Sequence, residues 1–185
     1  MWKKSFFSGI IILLLISLIL PACNSRQEAS QSVVTAESPE WFGYELTDVQ
    51  TGETFTMNDY AGKVVLLETM AIWCPNCLFQ AGEVRKMHEM LGNPEDLISV
   101  SLDVDVNEDA PALKDYSEEW GFEWHFAIAP LEVARALGNL YNAEYLNPPL
   151  SPMLIIDRDG GVHHLEYGKK SAETLMESVE PFLNP

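Results

Sequence analysis

The chain has 185 residues, a length that suits one domain together with an N-terminal targeting segment. It carries 28 acidic and 11 basic residues, for a formal net charge of −17. A body this acidic is repelled by phosphate backbones, so the composition argues against nucleic-acid binding. The hydrophobic fraction of 47% is ordinary for a protein that buries a core.

The N-terminus has the form of an export signal. Lys3 and Lys4 precede an apolar stretch over 6–20, and the small residue Ala22 follows shortly after. We therefore expect residues 1–22 to be a signal peptide. The alternative is an uncleaved anchor, because the stretch is near the lower length limit for a spanning helix. In both cases the folded part lies outside the cytoplasm.

The segment Leu20-Pro21-Ala22-Cys23 resembles the bacterial lipobox. The resemblance implies cleavage before Cys23 and a diacylglycerol on its thiol, which would anchor the protein to the outer face of the cytoplasmic membrane. Residues 24–40 are rich in Ser, Gln and Glu. We expect residues 23–40 to form a flexible, solvated tether between the anchor and a domain over 41–185.

The rest of the chain alternates strand and helix patterns, which predicts a mixed sheet with helices on both faces. The predicted strands cover 41–46, 53–56, 64–71, 97–104, 125–129, 153–156 and 162–167. The predicted helices are a turn at 57–60, a helix from the Cys77 region to Leu91, one capped within 107–109 and ending at Gly121, one over 131–141, and one over 172–182 capped by Ser171. Leu113, Tyr116 and Trp120 form the expected buried stripe of the second long helix.

Two cysteines stand between the predicted strand over 64–71 and the helix that follows. The spacing of Cys74 and Cys77 is typical of a zinc half-site, a copper site or a redox dithiol. Structural zinc needs four ligands, and the four histidines show no matching spacing, so zinc is the weak interpretation. A structural disulfide that never turns over is a further alternative for an exported pair.

The position of the pair favours redox chemistry. A helix N-terminus offers unpaired N–H groups and a positive dipole end, which stabilise a thiolate. We expect Cys74, at the exposed edge, to be the nucleophile. Cys77, one turn into the helix, is placed to attack a mixed disulfide at Cys74 and release the partner.

Trp73-Cys74-Pro75-Asn76-Cys77 after an apolar strand resembles the active site of the thioredoxin superfamily. The lead-in over 43–77, the segments 99–105 and 151–162, and the helix near 113–120 resemble its membrane-anchored TlpA/ResA-like branch. The similarity covers about residues 41–183. It implies an α/β thioredoxin fold, with a mixed central sheet, helices on both faces and an N-terminal strand-turn-strand extension.

The resemblance also implies a function. It implies thiol–disulfide exchange with exported proteins such as apocytochrome c, a membrane-embedded electron donor or acceptor, and no cofactor. Trp73, Pro75 and Asn76 then line the partner surface. Ser151-Pro152 matches the family's cis-proline, which would turn the Ser151 backbone toward the dithiol for pairing with a substrate strand.

Glu68 stands six residues before Cys74 in an otherwise apolar strand. By resemblance it is a buried acid that accepts the proton of the second cysteine. Burial raises the pKa of a carboxyl, which suits it to accept a proton near neutral pH. A surface-facing Glu68 is the alternative, because strand alternation fits the buried orientation only loosely.

One departure from the family leaves the direction of electron flow open. Pro75 comes first and Asn76 second between the cysteines, an order that also occurs in oxidants of the DsbA type. Reduction of exported disulfides is the leading hypothesis and oxidation its variant. A Cu(I) chaperone using both thiolates and a thiol peroxidase are the other functions considered; no Met or His cluster accompanies the pair, and the usual context of a peroxidatic cysteine is missing.

Overall fold

The structure is a computed structural model that describes residues 38–184. The signal peptide over 1–22, the lipidation site Cys23 and most of the tether lie outside the described residues. In the described range, no helix is long and apolar enough to cross a membrane.

The described chain forms one five-stranded sheet, a two-stranded hairpin and four α-helices. The strands are β1 (Leu46–Thr47), β2 (Thr54–Phe55), β3 (Val64–Met70), β4 (Leu97–Asp103), β5 (His125–Ile128), β6 (Met153–Ile156) and β7 (Val162–His164). The helices are α1 (Pro75–Leu91), α2 (Ala110–Trp120), α3 (Leu131–Leu140) and α4 (Ala172–Leu183). Short 3₁₀ helices cover Glu40–Gly43, Met57–Tyr60, Ala143–Leu146 and Pro148–Leu150.

The large sheet has the strand order β5-β4-β3-β6-β7. Strands β3, β4 and β5 run parallel, whereas β6 is antiparallel to β3 and β7 is antiparallel to β6. Helices joining parallel strands must lie on the faces of the sheet. This architecture confirms the predicted thioredoxin fold with a mixed sheet.

The central strand β3 contributes to cores on both faces of the sheet, and all seven of its residues are buried. Val65 and Leu67 pack with α3 and the 3₁₀ helix at Glu40–Gly43. Val64 and Leu66 point the other way and pack with α1 and α4. The even-numbered residues of β3 therefore face α1.

Two sequence predictions of local structure are wrong. The sequence predicts a strand over 41–46, but Glu40–Gly43 is a 3₁₀ helix, because Trp41 and Phe42 are consecutive and both enter the same core. A strand would send them to opposite faces. Trp120 is exposed, and the buried residues of α2 are Leu113, Tyr116 and Ser117.

Several helix ends follow the sequence signals. Asp109 caps α2 by accepting the Ala112 N–H at 2.9 Å, and Gly121 ends it in a left-handed conformation with φ of 65°. Ser171 caps α4 by accepting the Thr174 N–H at 3.3 Å. These predictions depend on backbone groups only a few residues away, which explains why sequence suffices for them.

Candidate active site

Cys74 and Cys77 are joined by a disulfide where β3 ends and α1 begins. Cys74 is the N-cap residue of α1, Pro75 is the first helical residue, and the Cys77 N–H donates to the Cys74 sulfur at 3.2 Å. Proline fits here because the first-turn N–H groups have no partner within the helix. The helix N-terminus is therefore directed at Cys74, as the sequence predicts.

Both sulfur-bearing residues are buried in this oxidised state. Cys74 is 1% exposed and Cys77 is 2% exposed, and both belong to an apolar cluster that includes Met70 and Tyr116. The expectation that Cys74 lies at an exposed edge is wrong for this state. The sequence indicates the strand-to-helix position of Cys74, but residues distant in sequence determine its burial.

A loop that is distant in sequence from the two cysteines covers the dithiol. The carbonyl oxygen of Pro148 lies 3.5 Å from the Cys77 sulfur, and the Asn76 side chain donates to the Pro149 carbonyl at 2.8 Å. Asn76 therefore holds the 3₁₀ helix Pro148–Leu150 against the start of α1.

The Ser151–Pro152 bond is trans, since residues 38–184 contain no cis peptide bond. The expectation of a cis-proline is therefore wrong for this structure. The chain turns instead through the backbone of Ser151, which has a left-handed φ of 47°. Pro152 still lies beside the site, because its carbonyl accepts the Thr69 N–H at 3.2 Å.

Both backbone groups of Ser151 are already paired within the chain. Its N–H donates to the Pro148 carbonyl at 2.8 Å, and its carbonyl accepts from the Lys170 ammonium at 3.0 Å. A substrate strand that accepts from the Ser151 N–H would need the bond to Pro148 to open, whereas the Ser151 carbonyl has a second lone pair for a substrate N–H. The roles of Ser151 and Pro152 in substrate binding stay predictions.

Glu68 is buried on the α1 face of β3, with 5% of its surface exposed. It lies between Leu66, which packs with α1, and Met70, which packs with the two cysteines. The surface-facing alternative is therefore wrong. Burial raises the pKa of Glu68 to about 7, against the opposing effects of the hydrogen bond donated by Ser101 and the charge of Lys170.

Sequence reasoning missed Lys170 and Gln80. Lys170 lies just before α4, and its buried ammonium donates to the carbonyls of Ser151 and Gly168. Gln80, on α1, exchanges two hydrogen bonds with the Lys170 backbone. The sequence does indicate Gln80 as a neighbour of the site, because it lies three residues after Cys77 and so on the same side of a helix. A loop lysine is ordinarily solvated, so no local signal marks Lys170.

An acidic loop between β4 and α2 contacts the residues that precede the dithiol. Trp73 is 57% exposed, and its indole N–H donates to Asp105 at 2.6 Å. The backbone N–H of Ile72 donates to a carboxylate oxygen of Glu108 at 2.8 Å. The two residues before Cys74 are thus fixed by carboxylates from the loop between β4 and α2.

Asp103, at the end of β4, is fully buried beside this loop. One of its oxygens accepts the Asp105 N–H at 2.9 Å. The other has no hydrogen-bond partner among residues 38–184, and Glu108 is the neighbouring acid that acts on Asp103. A neighbouring carboxylate disfavours ionisation of a second carboxyl. Burial, reinforced by Glu108, accordingly raises the pKa of Asp103.

We looked for a metal site among the same residues. Within 38–184, no group of three or more His, Cys, Asp or Glu side chains is arranged to hold a metal ion. The acidic loop uses its carboxylates on backbone and indole N–H groups of this chain instead.

Comparisons with known proteins agree with the fold. The family model described as Redoxin matches residues 26–179. The structure resembles a thiol:disulfide interchange protein of the thioredoxin family from Chlorobium tepidum, with 19% identity and a TM-score of 0.63 over 80% of this chain and 99% of that chain. No curated protein sequence matches this chain.

Two further solved structures are similar. A secreted Mycobacterium tuberculosis disulfide oxidoreductase homologous to E. coli DsbE has 16% identity and a TM-score of 0.59, over 77% of this chain and 98% of that chain. StoA from Bacillus subtilis has 15% identity and a TM-score of 0.55, over 74% of this chain and 96% of that chain. At such identities the likeness establishes the thioredoxin fold.

Proposed function

The chain belongs to the Redoxin family and is a thiol–disulfide oxidoreductase, and we propose that it reduces disulfides of exported proteins outside the cytoplasm. One observation carries the proposal. The Cys74–Cys77 disulfide caps a helix N-terminus, and a buried carboxyl, Glu68, lies on the face of β3 that the dithiol helix covers. Such a site supplies a stabilised thiolate and a proton acceptor together.

The reaction is a two-electron exchange. The Cys74 thiolate attacks one sulfur of the substrate disulfide, so that a Cys74–substrate bond forms and the first substrate thiolate leaves. The Cys77 thiol then gives its proton to Glu68 and attacks the Cys74 sulfur. The Cys74–substrate bond breaks, and the second substrate thiolate leaves. The substrate has gained two electrons, and the chain holds the Cys74–Cys77 disulfide.

The geometry gives the two cysteines different roles. The Cys77 N–H, 3.2 Å from the Cys74 sulfur, is a donor to a Cys74 thiolate, so negative charge is best stabilised at Cys74. Cys77 has no comparable position at the helix N-terminus. It therefore benefits most from a nearby base, and a carboxyl with a pKa of about 7 accepts a proton readily at neutral pH.

The location and partners follow from the N-terminal sequence and the TlpA/ResA-like resemblance. Leu20-Pro21-Ala22-Cys23 supports lipidation at Cys23 and residence on the outer face of the cytoplasmic membrane. A reductase there needs an electron supply, and we propose a membrane-embedded donor. Apocytochrome c is the substrate that the resemblance supports.

A trapping experiment tests the reaction. In Cys77→Ser the mixed disulfide at Cys74 cannot be resolved, so exported partners should accumulate as covalent adducts on non-reducing gels. Cys74→Ser is the matched control and should trap far fewer. If Cys77→Ser traps no partner and the wild-type dithiol does not exchange with glutathione, the proposed reaction is wrong.

The location has its own test. Mass spectrometry of the wild-type N-terminus should find a diacylglycerol on Cys23. In Cys23→Ala both that adduct and the cleavage before residue 23 should be lost. An unmodified Cys23 in the wild-type protein would contradict the lipid anchor.

A further inference from the structure

Lys170 is a buried lysine whose ammonium has fixed partners. The residue is 7% exposed, and its Nζ donates to the Ser151 carbonyl at 3.0 Å and the Gly168 carbonyl at 2.7 Å. Burying an ammonium is costly unless its hydrogen bonds are satisfied. The two carbonyls satisfy two of its three donors, and one of them belongs to the loop beside the dithiol.

The backbone of Lys170 is attached to the helix that carries the cysteines. Its N–H donates to the side-chain oxygen of Gln80 at 2.8 Å, and the Gln80 amide donates back to its carbonyl at 3.2 Å. Gln80 is completely buried and lies three residues after Cys77. Lys170 therefore has a fixed position relative to both α1 and Ser151.

The charge of Lys170 acts on Glu68. Burial raises the pKa of Glu68, and the Lys170 charge opposes that rise. Reciprocally, burial lowers the pKa of Lys170 to about 8, and the charge of Glu68 opposes that fall. The two groups form no ion pair within 4.0 Å in the described part of the chain. The Lys170 ammonium lies instead on the carbonyl of Ser151, two residues before Met153, which is the register partner of Glu68.

Among the described residues, the other elements around Glu68 place no second cation beside it. Strand β4 contributes the hydroxyl of Ser101, and α1 contributes Cys77 to the neighbouring cluster. Helix α2 contributes Tyr116, whose pKa is raised by burial and by the charge of Glu68, so it stays neutral near pH 7. Two groups thus favour an ionised Glu68, the Ser101 hydroxyl through its hydrogen bond and Lys170 as the cation.

We propose that Lys170 is a positioning residue for the exchange reaction: its ammonium ties the Ser151 carbonyl to the dithiol helix and keeps Glu68 ionised for the proton of Cys77. The inference rests on the proposed function, in which Glu68 is the proton acceptor. Only an ionised carboxylate can take that proton. A rise of one unit above a pKa of about 7 would leave about a tenth of Glu68 ionised at pH 7.

The direct test is a titration of the Glu68 carboxyl by carbon-13 NMR in the reduced full-length protein. Lys170→Met should raise the Glu68 pKa by about half a unit or more, because a buried positive charge is lost. Lys169→Met is the matched control, since Lys169 is exposed and lies over the Phe79 ring. Equal Glu68 titrations in the two variants would overturn the inference.

A reciprocal variant keeps the test valid if Lys170→Met does not fold. In Glu68→Gln the negative charge is lost, so the pKa of Lys170, read from its side-chain carbon signals, should fall below its wild-type value. An unchanged Lys170 titration overturns the coupling. Neither titration depends on catalysis, so both decide the inference even if the proposed exchange reaction fails.

A kinetic measurement separates positioning from a purely structural role. In Lys170→Met, the pH midpoint for resolution of a Cys74 mixed disulfide should move upward, whereas in Lys170→Arg it should stay near the wild-type value. Uniform slowing at every pH with an unmoved midpoint would leave Lys170 with a structural role only. That outcome overturns the inference and leaves the exchange reaction intact.

Discussion

Two buried carboxyls, Glu68 and Asp103, lie on neighbouring parallel strands and on the same face of the sheet. Glu68 pairs in register with Ser101, and Met70, two residues further along β3, pairs with Asp103. Burial raises the pKa of both. Their electrostatic surroundings are opposite, because the cation Lys170 acts on Glu68, whereas the acid Glu108 acts on Asp103.

The difference shows that burial alone does not assign a role. The cation Lys170 opposes the rise in the pKa of Glu68, and Glu68 lies on the face of β3 that the dithiol helix covers. Glu68 can therefore gain and lose a proton near neutral pH during exchange. The neighbouring acid Glu108 favours the protonated form of Asp103. Its partner Glu108 holds the Ile72 N–H two residues before Cys74, so this pair is better suited to fixing the loop than to moving protons.

The largest expected effect separates the two carboxyls kinetically. Glu68→Gln should slow resolution of the Cys74 mixed disulfide by about 100-fold at pH 7, since a positioned base contributes at least that much. Asp103→Asn is the matched change and should slow it by less than about 10-fold. Stopped-flow measurement with a mixed-disulfide substrate checks both. Equal slowing in the two variants would remove the distinction between them.

The pH dependence of stability gives the next effect. Both groups hold protons more tightly in the folded chain than in the unfolded one, so the stability of the oxidised protein should fall as pH rises. For Glu68 the window runs from 4.5, the ordinary pKa of a solvated glutamate, to about 7. Each such group makes the free energy of unfolding fall by up to about 1.4 kcal/mol per pH unit.

Denaturant titrations between pH 5 and about pH 8 measure this slope. Glu68→Gln and Asp103→Asn should each flatten it, because an amide does not titrate. A slope that is the same in the wild type and in both variants would mean that the two carboxyls are not held protonated in the fold.

The smallest effect concerns the acid pair alone. Glu108→Ala removes the acceptor of the Ile72 N–H, which should cost about 1–3 kcal/mol of local stability and speed hydrogen exchange at Ile72. The Glu68 titration should stay nearly unchanged. Hydrogen exchange of the Ile72 amide measured by NMR, with Glu118→Ala on the surface of α2 as control, checks this. A large shift of the Glu68 titration would show that the two carboxyl regions act as one.

Features that depend on residues close together in the chain can be predicted from the sequence. The burial of Glu68 follows from an acid within an apolar central strand, and the dithiol position follows from the junction of a strand pattern with a helix pattern. Both signals lie within a few residues. The role of Asp103 is less visible, because it depends on a contact with Glu108 that the turn of the loop determines.

Features created by distant residues could not be predicted. Cys74 is buried by a cluster that draws on α2 and β5, and the Pro148–Leu150 segment lies over Cys77. The Ser151–Pro152 bond is trans and Ser151 has a left-handed conformation, neither of which the local sequence indicates. Lys170 acquires its role from carbonyls and a carboxyl that no local pattern places beside it.

In the proposed reaction, Cys74 and Cys77 exchange electrons reversibly with other thiols. The most direct test is a redox titration of the full-length protein in thiol–disulfide buffers, with the reduced cysteines counted by alkylation and mass spectrometry. We expect a reversible two-electron transition at about −270 mV, in the range of a reductant. A bond that stays oxidised at potentials below about −300 mV, as a structural disulfide does, would contradict it.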